Sequence, residues 1–128
     1  MKVRALYRPE VVAGSRDESL VDAAGRMQYQ EIGSLTVLEH GKLVGILTER
    51  DLARALADGV DPEETPVGAY MTEEPITVTL ETDAASVAAT MLNLGVRHLP
   101  VVYAGQVIGM VSSRDLLSLE AWNAIGVA

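Results

Sequence analysis

The sequence predicts an α+β fold made of two copies of one β-α-β-β-α unit, packed with pseudo-two-fold symmetry. Three observations predict it: an internal repeat at half the chain length, hydrophobic periods that switch between helix-like and strand-like within each copy, and turn glycines at matching places. When each residue of the 128-residue chain is set against the one 64 positions on, 13 of 64 pairs are identical without a gap. Random pairing at average composition gives roughly four or five. The identities concentrate in Leu35/Leu99, Val37/Val101, Gly41/Gly105, Gly45/Gly109, Arg50/Arg114, Asp51/Asp115 and Leu52/Leu116. The chain therefore divides into repeat 1 at 1–60, a short linker at 61–66 carrying Pro62 and Pro66, and repeat 2 at 67–128.

Each copy runs through the same elements. A short apolar strand comes first, at 10–13 and at 76–79. A helix follows, with Ser19 and Asp83 as N-cap residues. Ser19 with Asp22 resembles a capping box. Leu20, Ala23, Ala24 and Met27 then fall on one helical face, repeated by Ala84, Val87, Ala88 and Met91. A hairpin comes next, with Gly41 and Gly105 where the turn needs positive φ. The closing helix starts at Thr48 or Ser112, and in copy one it stops at Gly59. One such unit alone buries little core, so the two are expected to pack together and leave clefts between them.

Composition narrows the functional classes. Apolar residues make up 48% of the chain, mean hydropathy is +0.19 and Phe is absent, so the core is expected to be aliphatic. A net charge of −8 repels nucleic-acid backbones and anionic membranes, and neither is expected as a partner. Cysteine is absent, which removes thiol catalysis, disulfides and Cys-based zinc sites. His40 and His98 lack metal-ligand spacing, so no metal is expected. No targeting segment and no apolar run long enough to span a bilayer is read, and a cytoplasmic location is expected. Neither a nucleophile–base constellation nor a Walker-type phosphate loop is present, so the expectation is a protein that is not an enzyme. Trp122 is read as an interface or core residue.

The chemistry-bearing segments are residues 45–51 and 109–115. Both read Gly-apolar-apolar-[Thr/Ser]-x-Arg-Asp at a strand-to-helix junction. One reading is purely local: Thr48 caps the helix and Asp51 completes a capping box, as Ser112 and Asp115 would in copy two. The other uses the same geometry for a ligand. A helix N-terminus attracts phosphate, Thr48 or Ser112 adds a hydroxyl, the glycine clears space on the strand, and an aspartate one turn in accepts ribose hydroxyls. The two readings are compatible, and duplication of the segment favours the second. Arg50 and Arg114 fit an anion site or a pairing with nearby carboxylates. Arg97 and His98 read equally as exposed residues entering a strand.

With residues 70–78 (Tyr-Met-Thr-Glu-Glu-Pro-Ile-Thr-Val) and 95–102 (Gly-Val-Arg-His-Leu-Pro-Val-Val), these segments make the whole chain resemble a tandem pair of CBS (cystathionine β-synthase) domains, a Bateman module. The resemblance implies a regulatory module whose clefts take AMP, ADP, ATP or S-adenosylmethionine, the adenine nucleotide being a regulatory ligand and not a catalytic cofactor. It implies a first cleft with Thr48 at phosphate, Asp51 at ribose, Ser34 near the ligand, Ile76, Thr77 and Val78 along the adenine, and Arg97 and His98 near phosphate. The second cleft would use Ser112, Asp115, Val12 and Ala13. Copy one departs from the family pattern, with Val11-Val12-Ala13 for Ile-Thr-Val, Gly33-Ser34 for Arg97-His98 and Thr36 for Pro100, so the second cleft is expected to be the weaker. The resemblance also implies a homodimer and signalling to a separate protein partner. The alternative is a dimerisation scaffold with vestigial clefts.

Overall fold

A computed structural model describes the backbone of residues 1–124 and the side chains of residues 1–118. Trp122 therefore lies outside the described side chains. The chain forms two compact units, Val12–Pro75 and a second made of Met1–Val11 with Ile76–Ala128. These are not the sequence repeats themselves, because the segment that leads each repeat packs on the other repeat's hairpin.

In the unit Val12–Pro75, β1 (Ala13–Gly14) lies parallel to β2 (Ser34–Glu39), which pairs antiparallel with β3 (Lys42–Thr48); β3 in turn pairs with β4 (Thr72–Glu73). Helix α1 (Leu20–Gln30) joins β1 to the hairpin and α2 (Glu49–Asp58) follows it. The core is Leu20, Ala23, Met27, Leu35, Val37, Leu47, Ala55, Val67 and Met71. Three of the four residues on the expected α1 face are thus fully buried, and Met27 is a core residue as its periodicity requires. A two-residue turn at His40 and Gly41 closes the hairpin, with φ of 52° and 78°. Positive φ at both central positions is the type I′ turn, whose twist matches the flanking strands.

The other unit repeats this plan with α3 (Ala84–Leu94), the hairpin β5 (His98–Tyr103) and β6 (Gln106–Ser112), and α4 (Ser113–Ala124). Its outer pairings are single bridges, Val78 to Val101 and Arg8 to Met110. Both sit 64 residues from their counterparts Gly14–Val37 and Thr72–Ile46, as does Lys2–Asp83 from Pro66–Ser19. Even the hairpin irregularity recurs, at Val37/Leu38 and at Val101/Val102. Its core of Val3, Val78, Val87, Met91, Leu99, Val101 and Val111 is aliphatic throughout.

Three local expectations need correction. The first strands are shorter than 10–13 and 76–79: in copy one pairing begins only at Ala13, and in copy two it is reduced to Val78 within the expected span. The physical reason in copy two is Pro100, which has no N–H. Its counterpart Thr36 donates both N and Oγ1 to the Val12 carbonyl, each at 3.1 Å. Second, Ser19 Oγ does accept Asp22 N at 3.1 Å, but the reciprocal half of that capping box is absent among the described hydrogen bonds. Third, Asp83 stands at the N-cap without a side-chain cap bond and faces Lys2 instead.

Candidate ligand site

The hairpins position the motif residues. Ser34 opens β2 and pairs across the hairpin with Thr48, which ends β3 and caps α2. His98 and Ser112 are paired in the same way in the other hairpin. The chain then turns into a helix, and an aspartate at its third position folds back on the cap. Asp51 Oδ2 accepts Thr48 N at 2.8 Å and Thr48 Oγ1 at 3.1 Å, while Asp51 N donates to Thr48 Oγ1 at 3.3 Å. This is a complete capping box. In the other unit Asp115 Oδ2 accepts Ser112 N at 2.8 Å and Asp115 N donates to Ser112 Oγ at 3.3 Å. The first amide of each helix also has an acceptor: Glu49 N donates to Gly33 O and Ser113 N to Arg97 O. Each helix start therefore offers fewer open donors to a phosphate than a bare N-terminus would.

The glycines of the motif have a different role from the one expected. A side chain at Gly45 would meet Met71 Sδ at 2.6 Å and the Thr72 carbonyl at 3.0 Å, and one at Gly109 would run into the Arg8 carbonyl and the Tyr7 ring. The space each glycine leaves is filled by the leading segment of a repeat. It is a packing requirement, not room for a ligand on the strand.

The aspartates differ in their cations. Arg54 Nη2 donates to Asp51 Oδ1 at 3.1 Å and to the Tyr70 carbonyl at 3.0 Å, with its guanidinium 5.5 Å from the Tyr70 ring centre. The Tyr70 hydroxyl donates to Asp58 at 2.6 Å, and that bond raises its pKa above the ordinary phenol value. Asp115 instead faces Arg8, whose Nε lies 3.6 Å from Oδ1. Sequence reasoning missed both arginines. Arg54 was detectable, lying three residues beyond Asp51 on one helical face. Arg8 was not, because only the tertiary fold brings the first ten residues to β6.

The remaining expected site residues fall as follows. In the unit Val12–Pro75, Ser34 and Asp51 are buried beside half-buried Thr48; Val12 and Ala13 lie along β2. In the other unit Val78 is buried, Ile76, Thr77 and Arg97 are exposed, and half-buried His98 opens β5. Thus each unit assembles one hydroxyl–aspartate pair, and the residues expected from the opposite repeat belong to the other unit. Among the described residues no cluster of three His, Cys, Asp or Glu side chains is placed to hold a metal ion. No described helix is long and apolar enough to cross a membrane.

The repeat, the unit topology and the duplicated hydroxyl–aspartate cap define a fold of two related α+β units. The family profile of the CBS domain matches twice, over residues 3–58 and 67–121, and the chain belongs to the CBS-domain family. A 17.7 kDa protein of Acidianus ambivalens is 35% identical over 117 residues, which span 90% of this chain and 70% of that protein. The CBS-domain structure of NE2398 has a TM-score of 0.88 at 35% identity, covering 94% of this chain and 98% of that one. The CBS-domain pair of MJ0100, solved with 5′-methylthioadenosine and S-adenosylmethionine, has a TM-score of 0.87 at 28% identity and covers 96% and 98% of the two chains. CBS domains are in general regulatory rather than catalytic modules.

Proposed function

We propose that this chain is a cytoplasmic regulatory module that binds an adenine nucleotide or another adenosyl ligand and signals its occupancy to a separate protein, as a homodimer. The observation that carries the reading is the duplicated cap: two carboxylates, Asp51 and Asp115, are each held beside a hydroxyl by the same hydrogen bonds. A carboxylate fixed in that way is suited to accept the paired hydroxyls of a ribose. The adenosyl ligands held by the MJ0100 pair support the ligand class. In the first site Asp51 takes ribose, Thr48 takes phosphate and Ser34 lies near the ligand. In the second, Asp115 takes ribose and Ser112 takes phosphate. A change in the packing of the repeats on binding then alters what the partner recognises.

One observation favours a second reading, a dimerisation scaffold with vestigial sites. Both oxygens of Asp51 already carry hydrogen bonds, from Thr48 and Arg54. A thermal-shift panel with AMP, ADP, ATP, NAD and S-adenosylmethionine separates the two, each variant read against its own unliganded baseline. At a hundredfold excess over Kd a ligand adds about 2.7 kcal/mol, on the order of 10 °C for a chain of this length. The sensor reading expects a shift with an adenosyl ligand that Asp51→Ala or Asp115→Ala reduces. No shift with any of the five leaves the scaffold.

A further inference from the structure

Arg8 lies in the leading segment of the chain and is held there by its backbone: Arg8 N donates to Met110 O at 2.8 Å, and Met110 N donates to Arg8 O at 3.1 Å. This clamp on β6 aims the guanidinium at Asp115. Among the described residues no hydrogen bond reaches Asp115 Oδ1, and none leaves the Arg8 side chain. Their separation, 3.6 Å from Nε to Oδ1, is an ion pair too long to be a hydrogen bond. A carboxylate oxygen able to accept thus sits beside a guanidinium able to donate, the arginine 48% exposed and the aspartate 13%. The Asp51 end lacks this arrangement. There Thr72 stands at the position equivalent to Arg8, and the Asp51 oxygens are engaged.

The two groups are complementary to a molecule with vicinal hydroxyls and, within the length of one sugar, an anion. The hydroxyls donate to Asp115 Oδ1, and the anion accepts from the guanidinium, which suits a phosphate through its planar fork of N–H groups. A positive centre in the same place meets the arginine's charge and is disfavoured. We propose that Arg8 is the specificity-determining residue of the Asp115 site, selecting a ribonucleoside 5′-phosphate over an adenosyl ligand with a cationic sulfur. The proposal rests on the reading of Asp115 as a ribose-binding carboxylate. Arg8 places a guanidinium beside Asp115, whereas the residues of repeat 1 equivalent to Arg97 and His98 are the uncharged Gly33 and Ser34.

Isothermal titration of the full chain with AMP and with S-adenosylmethionine, at low and high salt, tests it. The variants are Arg8→Gln, Arg8→Lys, Asp115→Asn, the double variant Arg8→Gln/Asp115→Asn, and Arg4→Gln. Arg4 is an exposed arginine of the same segment paired with Glu81, so its substitution controls for lost charge. The expected result is that Arg8→Gln weakens AMP by about tenfold or more, the scale of one lost charge-assisted contact. It leaves S-adenosylmethionine unchanged or tighter and lowers the salt dependence. Arg8→Lys keeps most of the preference, Arg4→Gln changes nothing, and the Arg8→Gln effect disappears when Asp115 is already Asn. Equal weakening of both ligands, unchanged AMP affinity, or persistence of the effect in the double variant overturns the proposal while leaving the ribose reading intact. Wild-type protein that binds neither ligand overturns both.

Discussion

Gly45 and Gly109 occupy the same place in their repeats but tolerate a side chain differently. At Gly109 an added methyl meets the carbonyl of Arg8, a residue whose backbone N–H and carbonyl are both hydrogen-bonded to Met110, whereas at Gly45 the nearest atom is the flexible end of Met71. Gly109→Ala is therefore expected to cost about 2–3 kcal/mol in urea denaturation and Gly45→Ala about 1 kcal/mol. Equal costs would contradict the packing role assigned to the leading segment. These residues also mark the limit of the sequence at this scale. Spacing alone located Thr48, Asp51, Ser112 and Asp115 and anticipated the capping bonds, because a cap is a local feature of a few residues. What each glycine faces, and which arginine each aspartate meets, depends on segments far away in the chain.

Among the elements, the hairpins were the most legible. Short apolar runs on either side of Gly41 and Gly105 specify strand and turn together, and the second half of each turn is a glycine at positive φ. The first half is not: His40 and Ala104 adopt φ of 52° and 51°. Alanine in the left-handed region costs about 1 kcal/mol or more, partly offset in any glycine replacement by chain entropy. Ala104→Gly is expected to stabilise the protein by about 0.5–1 kcal/mol, measured by its denaturation midpoint. The loop into α1 depends on charge. Arg26 makes a fork to Glu18 at 2.8 and 2.7 Å and also donates to the Ala13 carbonyl, while Glu18 accepts Ser15 N. Arg26 holds the Glu18 carboxyl below its ordinary pKa. Its contribution is thus complete above the ordinary carboxylate value and is lost as pH falls through the lowered folded value. Glu18→Gln is expected to cost about 1–2 kcal/mol at pH 7, and the gap to wild type should close in acid; a gap that persists at pH 2 contradicts the ionic account. In copy two Thr82 Oγ1 accepts Thr79 N at 3.1 Å in place of this carboxylate, so there the same turn is closed by a neutral group. The first strands differ from expectation because the apolar run starts before backbone pairing does.

For the whole molecule, the repeat offset of 64 was legible and recurs in every outer strand pairing. The partition into compact units was not. The sequence shows where a repeat begins, but not that its leading residues complete the other repeat's hairpin, with Val3 buried in one core and Val67 in the other. That interchange makes the linker part of a packed unit and places Arg8 beside Asp115. The function proposed for this arrangement is adenosyl-ligand binding at two related aspartates. Equilibrium dialysis of the full chain against labelled AMP, with S-adenosylmethionine and ATP as competitors, measures that most directly. The account predicts saturable, competable binding of at most one molecule per aspartate, diminished by Asp115→Asn. Absence of saturable binding, with none of the competitors bound when labelled in turn, would contradict it.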